Sequence, residues 1–410
     1  MRGLSQAAAR RDLRIVVAAV GISAAGDIAA VAALAVHLQE RTGSGLLVAA
    51  LFAANWLAIA VGSPWAGALV DRRDARSLLV IASLGQAAVA AVLATTPPTA
   101  AILVLSALLG VGAAVAVPSE FALVGVIAAA ADGSARANGR VETARYAGYL
   151  VGPLLGTGLV ALSGVGATLA LDAASFALVA VAAVGLSARR PAAAAGSGPR
   201  PRARDGLALL VGDRELRATT FVLVASLLTM SMTIAADVFF VRETLGQGAF
   251  GLGLLLSAWM AGMVVASLGV APRVPLRGLA TVAIAAAAVQ GAGKLGAASL
   301  GLVVPALVLY ALGGAAHGIK NVAARTLLHE RVPAEAHGRA FAAYAGLRNT
   351  AELGALALGG LLVDAIGGRA TLIVAGTATA LVAAAGLLLL PRGRGGRAHE
   401  PRPAEERVAV

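Results

Sequence analysis

The sequence predicts an all-α integral membrane protein, with twelve transmembrane helices in two pseudo-symmetric six-helix bundles. Three observations predict this fold: a composition poor in charge, a series of apolar segments long enough to cross a bilayer, and an internal repeat. Of the 410 residues, 59% are hydrophobic and 13% are charged, whereas a soluble chain usually carries about 25% charged residues. So few charges cannot cover a soluble surface of this size, and lipid is therefore the expected outer solvent.

Apolar segments recur along the whole chain. A spanning helix needs about 20 apolar residues. The segments that meet this requirement are 14–38, 46–70, 77–96, 100–130, 138–163, 166–188, 217–241, 249–271, 278–298, 300–325, 340–364 and 369–391. Short turns that contain Gly or Pro separate several of them, as expected for neighbouring antiparallel spans.

The distribution of Lys and Arg orients the predicted bundle. With the N-terminus inside, all but seven of the 33 Lys and Arg residues fall on the cytoplasmic side. The exceptions are Arg41, Arg242, Lys294 and Arg369 on the opposite side, and Arg145, Lys320 and Arg348 within spans. This asymmetry predicts a multi-pass protein of the cell (plasma) membrane with both termini cytoplasmic. The net charge of +12 is thus interpreted as a topology signal, and no nucleic-acid partner is predicted.

The two halves of the chain repeat each other at an offset of 203 positions. Matched pairs include Trp56 with Trp259, Gly110 with Gly313, Arg145 with Arg348 and Gly156 with Gly359. We therefore divide the chain into a first bundle (1–186), a flexible cytoplasmic linker (187–216), a second bundle (217–391) and a cytoplasmic tail (392–410). Two parallel six-helix repeats are the plan of a transporter fold in which the halves rock about a central site.

The cytoplasmic connection between the second and third spans, GALVDRRDAR, carries the first recognisable motif. It resembles the loop signature Gly-x-Leu-x-Asp-Arg-x-Gly-Arg-Arg of the major facilitator superfamily. Gly67, Asp71, Arg72 and Arg76 match this signature, whereas Asp74 and Ala75 stand where the family has Gly and Arg. The resemblance implies that the loop latches the halves together in the outward-facing state, with Asp71 and Arg72 as gating residues. The alternative is an ordinary charged loop.

The fifth span contains a glycine-proline motif formed by Gly148, Gly152, Pro153 and Gly156. Glycines at every fourth position share one helical face and permit close contact with another helix, and Pro153 is expected to bend or loosen the helix. The string is similar to a motif of the superfamily's antiporters, with Thr157 replacing its last glycine, and this similarity favours export over uptake. Packing of small residues alone is the alternative interpretation.

Asp27 is a carboxylate inside the first apolar segment. It lies about 13 residues into that segment, which is ~20 Å along a helix and close to mid-membrane. Charges at that depth cost about 2.5–3.5 kcal/mol on insertion scales and are usually functional or paired. We predict Asp27 to be a proton-coupling residue, because burial penalises the charged form of a carboxylate. The alternative is a structural carboxylate held by hydrogen bonds. Asp237, near the outer end of the seventh span, is predicted to be interfacial.

A second group of polar residues lies in the cytoplasmic half of the spans. Arg348 and Glu352 are four apart and able to form an ion pair, and Arg145 is a further intramembrane cation. The superfamily resemblance implies that helices 1, 4, 7 and 10 line the central cavity. The residues predicted to contact substrate are therefore Glu120, His317, Lys320 and Asn321. The alternative role for the group is in charge pairs that hold the cytoplasmic gate.

These patterns predict a secondary active transporter that moves a small molecule by proton-coupled efflux. The strings ISAAGD and SARANGRVETARYAGYLVGP resemble the drug- and siderophore-efflux branch of the superfamily. The alternative is an importer of the same fold, whereas a channel or an intramembrane enzyme is disfavoured. The chain has no Cys, its five His residues are dispersed, and no phosphate-binding loop is present. We therefore predict no enzymatic activity, no cofactor and no metal site. Protons, a small-molecule substrate and the bilayer are the predicted partners of a monomer.

Overall fold

The computed structural model describes residues 4–130, 134–190, 203–269, 273, 278–333 and 336–390. Its helices are α1 Gln6–Thr42, α2 Gly45–Arg72, α3 Ala75–Leu93, α4 Thr99–Ala130, α5 Ser134–Gly185, α6 Ala203–Gly212, α7 Arg214–Ser231, α8 Thr233–Phe239, α9 Ala249–Gly269, α10 Leu279–Leu300, α11 Val303–Arg331 and α12 His337–Leu389. A π-helical segment, Phe240–Thr244, continues α8. The predicted all-α fold class is confirmed.

The two longest helices, α5 and α12, each fold back on themselves at a glycine. A straight helix of 52 residues would be roughly 78 Å long. Yet residues from both ends of α5, Val141 and Ala183, lie in one hydrophobic cluster. The chain reverses at Gly164 (φ 81°, ψ 173°) and at Gly367 (φ 80°, ψ 165°), where the left-handed conformation favours glycine.

Each long helix therefore supplies two spans. We call 134–163 and 165–185 the first and second arms of α5. The described residues contain ten apolar helical segments of sufficient length for a membrane, and dividing α5 and α12 at their glycines gives the twelve predicted spans. The protein is a multi-pass membrane protein.

The sequence repeat is also a repeat of packing. A Cβ atom added to Gly156 would lie 2.5 Å from the Cα of Ala29, and one added to Gly359 would lie 2.7 Å from the Cα of Met232. Gly156 and Gly359 are 203 positions apart, as are Ala29 and Met232. The same helix crossing, too close for any side chain, is therefore built once in each half.

Three hydrophobic clusters show how the halves meet. The first-half cluster includes Leu13, Leu79, Ile127 and Leu186, and the second-half cluster includes Leu216, Ile284, Leu328 and Ala340. A third, the shared cluster, combines both halves and includes Leu38, Leu51, Ile102, Phe240, Leu255, Tyr310 and Val363. The halves are thus packed together at the end where α1 finishes and α2 begins. At the opposite end each half has a cluster of its own.

The predicted linker and tail fall partly outside the described residues. Residues 191–202 of the linker and the tail 392–410 are not among them. The end of the predicted linker, which we expected to be flexible, forms α6 instead. Leu210 of α6 is buried in the second-half cluster, and Gly206 approaches the backbone of Arg339 at the start of α12. Packing of Leu209 and Leu210 in the second-half cluster accounts for this helix.

Candidate functional site

A cavity opens inside the first half of the molecule. It contains about 750 Å³ of empty space, including the part open to its mouth. Its walls come from α1, α3, α4 and both arms of α5. It extends from Ile15 and Leu186, near one end of the bundle, to Asp27 in the middle of α1. The polar residues that line it are Ser23, Asp27, Ser83, Gln86, Glu120 and Arg145.

Two of these polar residues form an ion pair between neighbouring helices. Arg145 Nη2 of α5 donates a hydrogen bond of 2.6 Å to Glu120 Oε1 of α4, and Arg145 Nε lies 3.4 Å from Glu142 Oε1. Both Arg145 and Glu120 are mostly buried, with about 15% of each side chain exposed. Glu120 was predicted to contact substrate and Arg145 to form gating pairs, and both side chains border the cavity.

Asp27 faces these two charges from α1. Its carboxylate is within electrostatic range of Arg145 and Glu120. In the part of the chain that the structure describes, no hydrogen bond reaches the Asp27 carboxylate. A carboxylate without a fixed partner, placed on a cavity wall, is available to bind a proton or a cation.

A second carboxylate, Asp172, stands behind Asp27. Asp172 belongs to the second arm of α5 and is only 1% exposed. A Cβ atom added to Gly26 would lie 2.8 Å from Asp172 Oδ1, so Gly26 leaves the space that this carboxylate occupies. Ser175 Oγ donates to the Asp172 carbonyl oxygen at 2.8 Å and lies 3.4 Å from Asp172 Oδ1. Asp172 and Asp27 are close enough to interact electrostatically.

The sequence analysis did not single out Asp172. The sequence does mark Asp172 as a candidate, because this aspartate lies within the predicted span 166–188 and charges inside a membrane are costly.

The predicted glycine face of α5 packs against α1. Cβ atoms added to Gly148 and Gly152 would lie 2.5 Å from the carbonyl oxygen of Gly21 and 2.6 Å from that of Ala25. Side chains are therefore excluded along this crossing, which brings Asp27 of α1 close to the charges of α5 and α4.

The end of the same motif reaches the other half. Thr157 Oγ1 donates to the Pro153 carbonyl oxygen at 2.6 Å, and a Cβ atom added to Gly253 of α9 would lie 2.7 Å from that oxygen. Ser257 Oγ of α9 donates to the carbonyl oxygen of Leu150 at 2.9 Å. The α5 motif thus packs on α1 and α9 at once.

The predicted substrate residues of the second half form a separate buried network. Lys320 Nζ donates to Gln290 Oε1 at 2.7 Å, and Gln290 Nε2 lies 3.3 Å from His317 Nδ1. Lys320 is 4% exposed. Asn321 is the next residue of α11 and is half-buried. The structure does not bring these residues to the walls of the first-half cavity.

Arg348 and Glu352 lie on one face of the first part of α12. Their side chains approach to 3.5 Å between Arg348 Nη2 and Glu352 Oε1, with 29% and 21% of the side chains exposed.

A buried charge cluster in the second half escaped the sequence analysis. Lys294 Nζ of α10 donates to both carboxylate oxygens of Asp237 at 2.7 Å, and Tyr310 OH donates to Asp237 Oδ1 at 2.6 Å. Lys294 Nζ also lies 4.0 Å from the ring centroid of Tyr310 and 5.3 Å from that of Trp259. Neither side chain faces solvent, since Lys294 is 4% exposed and Asp237 is 7% exposed. The favourable pairing between α8 and α10 draws both inside.

The predicted gating loop is only partly defined. The side chain of Asp71 lies outside the described part of the structure, Arg72 is exposed, and Gly67 faces open space. Arg76 Nη1 donates to the carbonyl oxygen of Leu186 at 2.7 Å. Arg76 thereby ties the start of α3 to the end of the first half.

At the opposite end, a carboxylate of the second half caps a helix of the first. Gly45 N donates to Asp364 Oδ1 at 2.5 Å, and Leu46 N donates to Asp364 Oδ2 at 3.2 Å. Ser44 Oγ also donates to Asp364 Oδ2, at 3.1 Å. We call this contact between α12 and the first turn of α2 the Asp364 latch.

An ion pair between Arg242 and Glu40 joins the halves at the same end as the latch. Two cross-half polar contacts therefore flank the shared cluster.

The profile of the family described as "Major Facilitator Superfamily" matches residues 16–351. The chain belongs to the major facilitator superfamily. It is accordingly a multi-pass membrane transporter, and the predicted superfamily is confirmed.

Several solved structures have a similar fold. A point mutant of the nucleoside transporter NupG has a TM-score of 0.77 and 13% identity, covering 93% of this chain and 100% of its own. A POT family transporter in complex with 5-aminolevulinic acid has a TM-score of 0.69 and 12% identity, covering 93% and 96%. Another POT family transporter structure, with a thioalcohol-conjugated peptide, has a TM-score of 0.68 and 12% identity, covering 92% and 96%. No curated protein matches the sequence.

At 12–13% identity these likenesses show the fold alone. They do not place the chain in the drug- and siderophore-efflux branch, which stays a prediction. For this superfamily member the structure brings Asp27, Glu120 and Arg145 to one cavity and keeps His317 and Lys320 in a second network.

Proposed function

We propose that this superfamily member is a secondary active transporter that exports a small molecule in exchange for protons. It works as a monomer in the plasma membrane, with both termini cytoplasmic. It belongs to the drug- and siderophore-efflux branch of the superfamily. One observation carries the proposal: Asp27, a carboxylate without a hydrogen-bond partner among the described residues, lies on the wall of a cavity inside the first bundle.

The arrangement of the halves supports alternating access. They are joined by the shared cluster and the Asp364 latch at one end and have separate clusters at the other. With cytoplasmic termini, the joined end is the outer one, and the conformation faces the cytoplasm. Rocking of the halves about the joined end is the motion expected of parallel six-helix repeats. For an exporter this conformation is the one that loads substrate.

Proton coupling is assigned to Asp27 on physical grounds. A carboxylate in a low-dielectric site alternates between a neutral protonated form and a charged form that is costly unless a cation compensates it. Binding of a proton and binding of a second cation are therefore mutually exclusive at one carboxylate. Such competition at Asp27 is sufficient to couple the exchange of protons to the exchange of substrate. The antiporter-like motif of α5, which packs α5 onto the helix that carries Asp27, supports the direction of transport.

The proposal is tested in everted membrane vesicles from a host that lacks its own exporters. Fluorescent compounds that are cationic, neutral or anionic are offered in turn, while a trapped pH-sensitive dye reports proton movement. We expect at least one compound to accumulate and to dissipate the pH gradient as it does so. Asp27→Asn should abolish the proton movement, whereas Glu330→Gln, which alters an exposed carboxylate of α11, should leave it unchanged.

Two results would contradict the proposal. If Asp27→Asn retains the same proton movement per molecule transported, Asp27 is not the coupling residue. If compounds accumulate only in right-side-out vesicles, the protein is an importer.

A further inference from the structure

The short helix α6 (Ala203–Gly212) has no part in the function proposed above. It stands directly before α7 in the chain and packs on the second half. Leu210 is buried in the second-half cluster, which contains residues from the start of α7, α10 and α12 and from the end of α11. Gly206 approaches the backbone of Arg339 at the start of α12. One side of α6 therefore covers the end of the second bundle at which α7 begins.

A neighbouring side of α6 is apolar and uncovered. Leu207 is 43% exposed and Val211 is 46% exposed, and residues four apart share one side of a helix. At 3.6 residues per turn, this pair lies about 100° around the helix from the buried pair Gly206 and Leu210. The two pairs thus form one apolar arc, of which the bundle covers only half. Ala208, which is also exposed, lies about 100° beyond Leu207 and outside this arc.

The uncovered half of the arc adjoins the outward surface of α7. Arg214, Arg217 and Phe221 follow one another at helical spacing on α7, and all three are exposed. Phe221, at 73% exposure, belongs to the predicted span 217–241, so lipid covers it in the membrane. Arg217 lies about 6 Å nearer the end of that helix, and its Nη1 donates to the carbonyl oxygen of Val211 at 3.0 Å. The uncovered apolar pair of α6 is therefore beside the membrane boundary.

The charges next to this surface are positive. Asp213 and Glu215, the acidic neighbours in sequence, both pair with Arg331 of α11. Arg214 and Arg217 consequently have no carboxylate partner in the described part of the chain. Arginine donates bidentate hydrogen bonds to phosphate, and its long side chain can lie on apolar surface while its charged end reaches the headgroups. Two such arginines beside an apolar helix face complement a negatively charged lipid surface.

We propose that α6 lies in the membrane surface and binds anionic phospholipid, with Leu207 and Val211 in the acyl boundary and Arg214 and Arg217 on the headgroup phosphates. Helices with an apolar face and basic flanks lie in the interface with that face about 5–10 Å deep. The lipid thereby anchors the second half, because α6 packs on the start of α12. The inference takes from the proposed function only the cytoplasmic side of α6, and it applies equally to an exporter and an importer.

The depth of α6 is measured with a fluorophore on single cysteines, since the native chain has no Cys. Leu207→Cys, Ala208→Cys and Phe221→Cys are labelled in the full-length protein in lipid nanodiscs. Quenching is compared between a spin-labelled phospholipid and a neutral water-soluble nitroxide. We expect the lipid to quench the labels at positions 207 and 221, and the soluble nitroxide to quench the label at position 208. A label at position 207 that only the soluble nitroxide quenches overturns the proposal.

The preference for negative charge is measured with the label at position 207. Phosphatidylglycerol or phosphatidylcholine carrying the same spin label is titrated into nanodiscs of phosphatidylcholine. We expect phosphatidylglycerol to quench at lower mole fraction, by about fivefold for each arginine. Arg214→Gln together with Arg217→Gln should remove most of this preference. The control, Arg73→Gln together with Arg136→Gln, removes two exposed arginines of the first half and should retain it.

Two results of this titration overturn the anionic partner. One is equal quenching by the two lipids in the protein with both arginines, and the other is a preference that survives their replacement. Size-exclusion profiles establish that each variant is folded, and all the altered side chains are exposed. Neither measurement involves transport, so the result does not depend on the proton-coupled export.

Discussion

The two halves share a backbone plan but use it for different chemistry. Gly156 packs on Ala29 and Gly359 on Met232 at equivalent crossings, so the helices cross in the same way in each half. Most of the charges buried inside the two bundles do not follow the repeat. Asp27, Glu120 and Asp172 correspond to Met230, Ala323 and Ala375, and Lys294 and Lys320 correspond to Ala91 and Val117.

Arg145 and Arg348 are an exception inside the spans, since each half keeps this arginine. Arg145 pairs with a glutamate on another helix, whereas Arg348 pairs with one on its own. The first half therefore arranges its charges around a cavity, whereas the second half buries Lys294 against Asp237 and Lys320 against Gln290. We infer that the repeat specifies the scaffold and that each half has diverged in what it holds.

The largest expected effect comes from giving the second half the residues of the first. Lys294→Ala leaves the Asp237 carboxylate buried without its cation, and we expect a loss of about 3–5 kcal/mol in the free energy of unfolding. Asp237→Leu together with Lys294→Ala reproduces Leu34 and Ala91 of the first half and should recover most of that loss. Thermal unfolding in detergent measures both. If the double variant is no more stable than the single one, the pair is not the source of the stability.

The next effect tests whether the scaffold is shared. Gly156→Leu and Gly359→Leu place a side chain where each crossing has no room, and overpacking of this kind costs about 1–3 kcal/mol. Because the crossings are equivalent, the two losses in the free energy of unfolding should be similar. Gly139→Ala serves as control, because a Cβ atom there meets nothing within 4 Å. Markedly different losses would show that the two crossings contribute unequally to the free energy of unfolding.

The Asp364 latch is an asymmetric feature, since position 161, its counterpart in the first half, is an alanine. Asp364→Asn removes a charged cap of α2, an interaction of about 1–2 kcal/mol. We expect the outer end to open more often, so that a cysteine introduced by Val48→Cys is labelled roughly 5–30 times faster. The native chain has no Cys, which makes this label specific.

Asp213→Asn is the control for this measurement, because Asp213 caps α7 within a single half. Labelling that responds equally to both substitutions would show that loss of a helix cap, rather than loss of the latch, exposes the cysteine.

The smallest effect concerns Arg145 and Arg348, an arginine pair that the repeat retains inside the spans. Glu352→Gln removes an i,i+4 pair on one half-exposed helix face, for which we expect a loss of about 0.2–0.5 kcal/mol. Glu120→Gln removes a more buried pair that joins α4 to α5 and should cost more in the same unfolding measurement. Equal losses would mean that bridging two helices adds nothing to the stability of the first half.

The sequence predicted what depends on local pattern and on the repeat. Apolar length located the spans, and the constant offset located both Gly156 and Gly359 before their packing was visible. Pairing between distant segments was not predictable in this way. Lys294 was assigned only to the side opposite the cytoplasm, because nothing local shows that Asp237, 57 positions earlier, is its partner.

The candidate site shows the same limit. Asp27 was selected from its depth in the first span. Asp172 depends on Gly26, which leaves room for its carboxylate beside Asp27, and this contact between the first and sixth spans has no sequence signature. Glu120 and Arg145 were each selected as intramembrane charges, but the pairing of one with the other required the structure.

The shared cluster has a practical consequence for how the protein can be made. Because it combines apolar side chains of both halves and is flanked by the Asp364 latch, the interface does not depend on a continuous peptide between them. Two fragments translated separately, divided within residues 191–202, are expected to find each other in the bilayer and co-purify. Such a split protein would allow each fragment to be isotope-labelled independently for spectroscopy.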